Sequence, residues 1–147
     1  MAQKNINKIY SQIGILETIT AAKTLDLYDT GKIFSITQDG TGFAFTLPTA
    51  TTATEAAALP GWNATFILTT ASTAAVTIAT GSASSNDSLT GIVTTHTQDG
   101  LTGVILGPGD HTVTFSNDSV VGDRVEIVCI TATTTSTDFV ATCYCDT

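Results

Sequence analysis

The chain has 147 residues and a net charge of −8, with only five Lys and Arg. That length suits a single domain with its own core. So few cations exclude the phosphate neutralisation on which nucleic-acid binding depends, and with it attraction to anionic membrane surfaces. Charged residues make up 12 % of the chain, about half of ordinary usage, which leaves little material for surface helices. Thr takes roughly a fifth of the chain, and its branched, stiff side chain suits a pleated strand.

Residues 1–22 read as an N-terminal arm. They carry Lys4 and Lys8, and Ile6, Ile9, Ile13 and Leu16 recur at spacings of three to four, interrupted by Gly14. Met1 to Asn5 lacks the long apolar centre of a signal peptide, so synthesis and assembly in a host cytoplasm are expected. No apolar stretch approaches membrane-spanning length.

Residues 23–147 form the expected β domain. Residues 24–28 alternate, and Asp29-Thr30-Gly31 turns into a strand over 33–36. After the turn Asp39-Gly40-Thr41-Gly42, residues 43–47 alternate until Pro48 ends them. Residues 54–59 contain good helix formers before a Pro60-Gly61 stop, which predicts one short helical turn. Strands are then expected over 62–70 and 75–79, and a short one over 89–93. Another covers 101–106, and the turn Gly107-Pro108-Gly109-Asp110 leads to alternation over 111–115. Residues 124–130 are the clearest strand, a Thr run loops over 131–137, and 138–144 closes the fold. Turn signals about every ten residues indicate an all-β, antiparallel sandwich of jelly-roll type with roughly eight to ten strands. No solenoid repeat is present, so a compact head is expected in place of a fibre shaft.

The order of these turns resembles a pattern of tailed-bacteriophage virion proteins, found in head decoration (cement) proteins and in fibre or spike heads. It runs through Asp29-Thr30-Gly31-Lys32, then Phe43-Ala44-Phe45-Thr46-Leu47-Pro48, then Gly61-Trp62. It continues with Val76-Thr77-Ile78, Asp87 to Gly91, Leu106 to Asp110, and Gly122-Asp123 before an alternating strand. The resemblance covers about residues 23–142 and departs where Phe139 replaces a Trp usual on the last strand. It implies a homotrimer on the outer surface of the head that binds the major capsid protein and stabilises contacts between its subunits. Multivalent attachment then turns modest contacts into high avidity. Lys4, Ile6, Lys8, Ile9, Tyr10 and Ile13 are the expected contacts to the capsid or a neighbouring subunit. The alternative is a receptor-binding tip that recognises a host glycan.

No catalytic, cofactor or metal site is expected. Asp110 and His111 are neighbours, but adjacent side chains on a strand point to opposite faces. No nucleophile elbow is present. Asp87, Asp99, Asp118 and Asp123 lack the spacing of a calcium loop and read as turn caps. Three glutamates, Glu17, Glu55 and Glu126, build no glycosidase pair. Cys129, Cys143 and Cys145 match no zinc spacing and read as reduced, packed thiols, with a disulfide from Cys129 to one of the others left open. Trp62, Phe43, Phe45, Phe66 and Phe115 are the expected aromatic core.

Overall fold

A computed structural model describes residues 16–38, 40–81, 87–97, 100–106, 110–117 and 119–146. Among the described residues, eleven strands form two sheets. They are β1 (Leu16–Ile19), β2 (Lys23–Thr24), β3 (Lys32–Ile36), β4 (Phe43–Thr46), β5 (Asn63–Leu68), β6 (Val76–Ala79), β7 (Ser88–Thr97), β8 (Gly100–Leu106), β9 (Thr112–Phe115), β10 (Arg124–Ala132) and β11 (Thr137–Asp146). One sheet has seven strands in the order β1-β3-β5-β10-β11-β7-β8, and the other has four, β2-β4-β6-β9. Within the segment 1–22, Leu16–Ile19 is thus a sheet strand, and residues 1–15 lie outside the described residues.

The expected antiparallel pairing is corrected. Both sheets are mixed, and five of the nine pairings among the described residues are parallel. Up to β6 the chain alternates sheets at every strand, so β1, β3 and β5 lie side by side in one sheet and β2, β4 and β6 in the other. Ile33 stands beside Thr65, and Phe43 beside Val76. Parallel neighbours need a long crossover, usually a helix. Here the crossover is a strand of the opposite sheet. Turn residues report where a strand ends but not the sheet of the next one, so the sequence pattern reads the same for either pairing.

Alternation buries one face of each sheet in a shared core. Phe34 and Ile36 on β3, Phe66 and Leu68 on β5, and Val125, Ile127 and Cys129 on β10 face Phe45, Val76, Ile78 and Phe115 of the smaller sheet. The Phe34 and Phe66 rings stack at 5.2 Å, and Phe45 meets Phe66 edge-on at 4.9 Å across the two sheets. Each such ring contributes about 1.5–3 kcal/mol relative to exposure. Trp62 is buried, meets Phe139 edge-on at 6.1 Å, and its indole N–H donates to the Asp26 carbonyl at 3.0 Å. Phe43 is only partly buried at the core margin.

Two short helical pieces interrupt the strands, and both are capped. The alternating residues 24–28 form β2 and then a 3-10 turn, Leu27–Asp29, not one strand. The Asp26 carboxylate accepts from the Tyr28 N–H, and the Asp29 carboxylate accepts back from the Asp26 N–H, a reciprocal cap. The turn expected over 54–59 is α1 (Ala53–Ala58), one residue earlier, and Thr52 and Glu55 cap it with the same kind of box. Gly61 follows with φ +89°, a backbone that an L side chain rarely adopts, and it redirects the chain into β5.

Candidate interaction face

The register of the larger sheet decides what its outer face presents. On β10, Val125, Ile127 and Cys129 point inward, so Arg124, Glu126 and Val128 point outward. Val128 lies beside Asn63 and Val140, and Glu126 beside Thr65 and Thr142. Arg124 lies beside Ile67 and Tyr144, and Thr142 beside Ile92. Exposure is 55 % for Ile92, 44 % for Val128 and 38 % for Tyr144. The β10–β11 register shifts between Cys129 and Thr131, and the bulge leaves Ile130 53 % exposed. Apolar side chains, separated by Thr, therefore line an outward sheet face. Its charges are local: the Arg124 guanidinium lies 4.2 Å from the Tyr144 ring centroid, and its Nε is 3.4 Å from Glu126. Beyond β11, strand β8 ends the sheet with the uncharged stretch GLTGVIL.

At the opposite edge a four-membered charge network ties β1 to its surroundings. Lys32 Nζ lies 2.6 Å from Asp29 and 3.1 Å from Glu17. Lys23 pairs with Glu17, lies 3.6 Å from Asp29, and stands over the Phe34 ring. The Lys23 hydrogen bond holds the Glu17 carboxyl below its ordinary value despite partial burial, and Lys32 adds to the effect. For Asp29, burial pushes the pKa up, but the hydrogen bonds from Lys32 and the Asp26 N–H, with the charge of both lysines, outweigh it and the net direction is down. Lys32 is raised, first by its hydrogen bond to Asp29. Sequence spacing did not reveal this cluster, because Glu17 meets Lys32 only through the parallel pairing of β1 with β3.

The three cysteines are free thiols, with Cys129 and Cys143 buried on neighbouring strands. Burial, aided by the charge of Asp138, pushes Cys129 up to about 11. Burial, with Cys145 second, pushes Cys143 up to about 12. Asp87 accepts from the Thr137 N–H at 2.7 Å, joining the start of β7 to the start of β11. Asp123 accepts from the Val120 N–H at 3.0 Å within its turn. Asp99 and Asp118 lie outside the described residues, among which no group of three His, Cys, Asp or Glu is placed to hold a metal ion. His111 sits before β9, where its carbonyl accepts from the Thr80 N–H at 2.9 Å. The expected contact residues Lys4, Ile6, Lys8, Ile9, Tyr10 and Ile13 all lie outside the described residues.

Comparisons with protein-family models, with curated proteins and with solved structures find no match to this chain.

Proposed function

We propose that this chain is a capsid decoration protein of a tailed bacteriophage, a two-sheet β-sandwich that binds the outer surface of the head as a homotrimer. The outward face of the seven-stranded sheet carries this reading. Several exposed apolar side chains on one sheet face of a small protein point to an interaction site. Beside its aliphatic side chains the patch holds an aromatic ring and an arginine, two residue types enriched at protein interfaces. Ile92, Val128, Ile130 and Tyr144 are the anchors, with Arg124 stacked on Tyr144. The resemblance of the turn order to virion proteins supplies the partner, the major capsid protein. A trimer gains here because three modest contacts close together on one particle. A decoration protein acts by binding alone, stabilising the assembled shell by mass action.

The test is a cryo-EM map of the parent particle. Density for this chain over threefold positions of the head, with the β10–β11 face against a capsid subunit or a neighbouring copy, is the expected result. Density only at the tail or fibre end would remove the decoration role.

A further inference from the structure

Away from that sheet face, a cleft of about 540 Å³ opens between the 3-10 turn and the segment that leads into α1. Its floor is apolar, formed by Leu25, Leu27, Leu47 and Pro48. Tyr28 stands at its rim, 76 % exposed, the most exposed large apolar side chain among the described residues. An exposed ring of this size on a small protein is informative, because most aromatic surface is buried. The charged lining groups are Asp26 and Glu55, accompanied by Thr24, Thr46 and Thr49. Both carboxylates are held in place by their caps: Asp26 accepts from the Tyr28 N–H, and Glu55 Oε2 accepts from the Thr51 N–H, the Thr51 hydroxyl and the Thr52 N–H. Acceptors fixed before binding lose little freedom when a ligand arrives.

The lining sorts ligands by chemistry. It offers no cation among the described residues, so phosphorylated, sulfated and sialylated groups are disfavoured by two carboxylates. It offers acceptors in excess, which fits a ligand rich in O–H donors. It offers an aromatic face beside an aliphatic floor, which fits a ligand with a flat C–H surface. A pyranose ring has both features, hydroxyls around its edge and C–H groups on its face. We propose that this cleft binds a neutral oligosaccharide, with a sugar ring stacked on Tyr28 and its hydroxyls donating to Asp26 and Glu55. The volume lies within the ordinary range of small-ligand sites. This site is independent of the capsid-binding reading: a decoration protein would use it to hold particles on a glycan-coated surface, and a fibre tip to engage a host.

Cellotriose, mannotriose and chitotriose, titrated into the ¹⁵N-labelled full chain, test it. At least one is expected to give saturable amide shifts confined to residues 24–28, 46–49 and 55. Tyr28→Phe keeps the ring and should bind like the parent, whereas Tyr28→Ala should bind about tenfold more weakly. Because Tyr28 is exposed, both variants are expected to keep the parent melting temperature. Absence of saturable shifts with all three sugars overturns the proposal, as does parent-like binding by Tyr28→Ala. Spermidine serves as a cation control: if it binds the cleft and no sugar does, the carboxylates form a cation site and the proposal falls.

Discussion

Single residues carry the sharpest constraints in this molecule. Gly91 on β7 lies beside Ala141 on β11, and a Cβ added there would sit 1.8 Å from the Ala141 carbonyl oxygen. Gly91→Ala is therefore expected to separate the two strands and cost at least about 1–3 kcal/mol, read from the urea midpoint. Phe45 is fully buried and packs its ring against Phe34 and Phe66 of the other sheet. Phe45→Ala should cost about 3–5 kcal/mol by the same measurement, because its cavity lies where neither sheet can close. Cys129 and Cys143 are pushed up to about 11 and about 12, respectively, by burial, so both stay protonated at neutral pH. Ellman's reagent should label them slowly in the folded chain and rapidly in urea, and equal rates in both states would contradict the burial.

At the scale of elements, β1 is held by charges as well as by packing. It is a four-residue edge strand, and only Ile19 of its side chains is buried. Glu17 and Asp29 have folded values below their ordinary 4.5 and 3.8, so their contribution is fully present above those values. It is lost as the pH falls through the lower folded values. Lys32 is raised above 10.5, so its contribution is complete below 10.5 and is lost as the pH rises past the folded value. The melting temperature is thus expected to fall at both extremes. Lys32→Met should lower it at neutral pH and flatten its fall in acid, since the carboxylates then gain less by staying ionised. An unchanged acid profile in Lys32→Met would show that the network does not hold the edge.

For the whole molecule, the proposed role would make the seven-stranded sheet separate stability from assembly. Its inner face is the core, and substitutions there report on folding. On its outer face Ile92 and Val128 are exposed, so Ile92→Lys and Val128→Lys should change stability by no more than about 0.5 kcal/mol. On the proposed role, the same variants should bind purified heads far more weakly, because each places an ammonium in a contact that must become dry. Variants that bind normally would move the contact off this face. Among the described residues β8 is the last strand of this sheet, and its sequence GLTGVIL contains none of the charges or prolines with which edge strands usually resist pairing.

The all-β composition, most strand positions and most of the aromatic core were legible in the sequence. Thr content, period-two alternation and turn chemistry are local properties, and they act over a few residues. The helix at 54–59 was legible for the same reason, although its cap at Thr52 lay outside the expected span. Residues 24–28 do not form one strand because the reciprocal Asp26–Asp29 cap starts a 3-10 turn at Leu27, and a box of two carboxylates three residues apart outweighs a short alternation. The span 89–93 proved to be part of the ten-residue β7, because its partner β11 extends the pairing through residues that carry little pattern of their own. Parallel against antiparallel pairing, the alternation of the chain between sheets, the network of Glu17 with Lys32, and the cleft beneath Tyr28 were decided by tertiary structure alone. Each joins residues distant in sequence, and which of them meet depends on the sheet in which every intervening strand finds its partners.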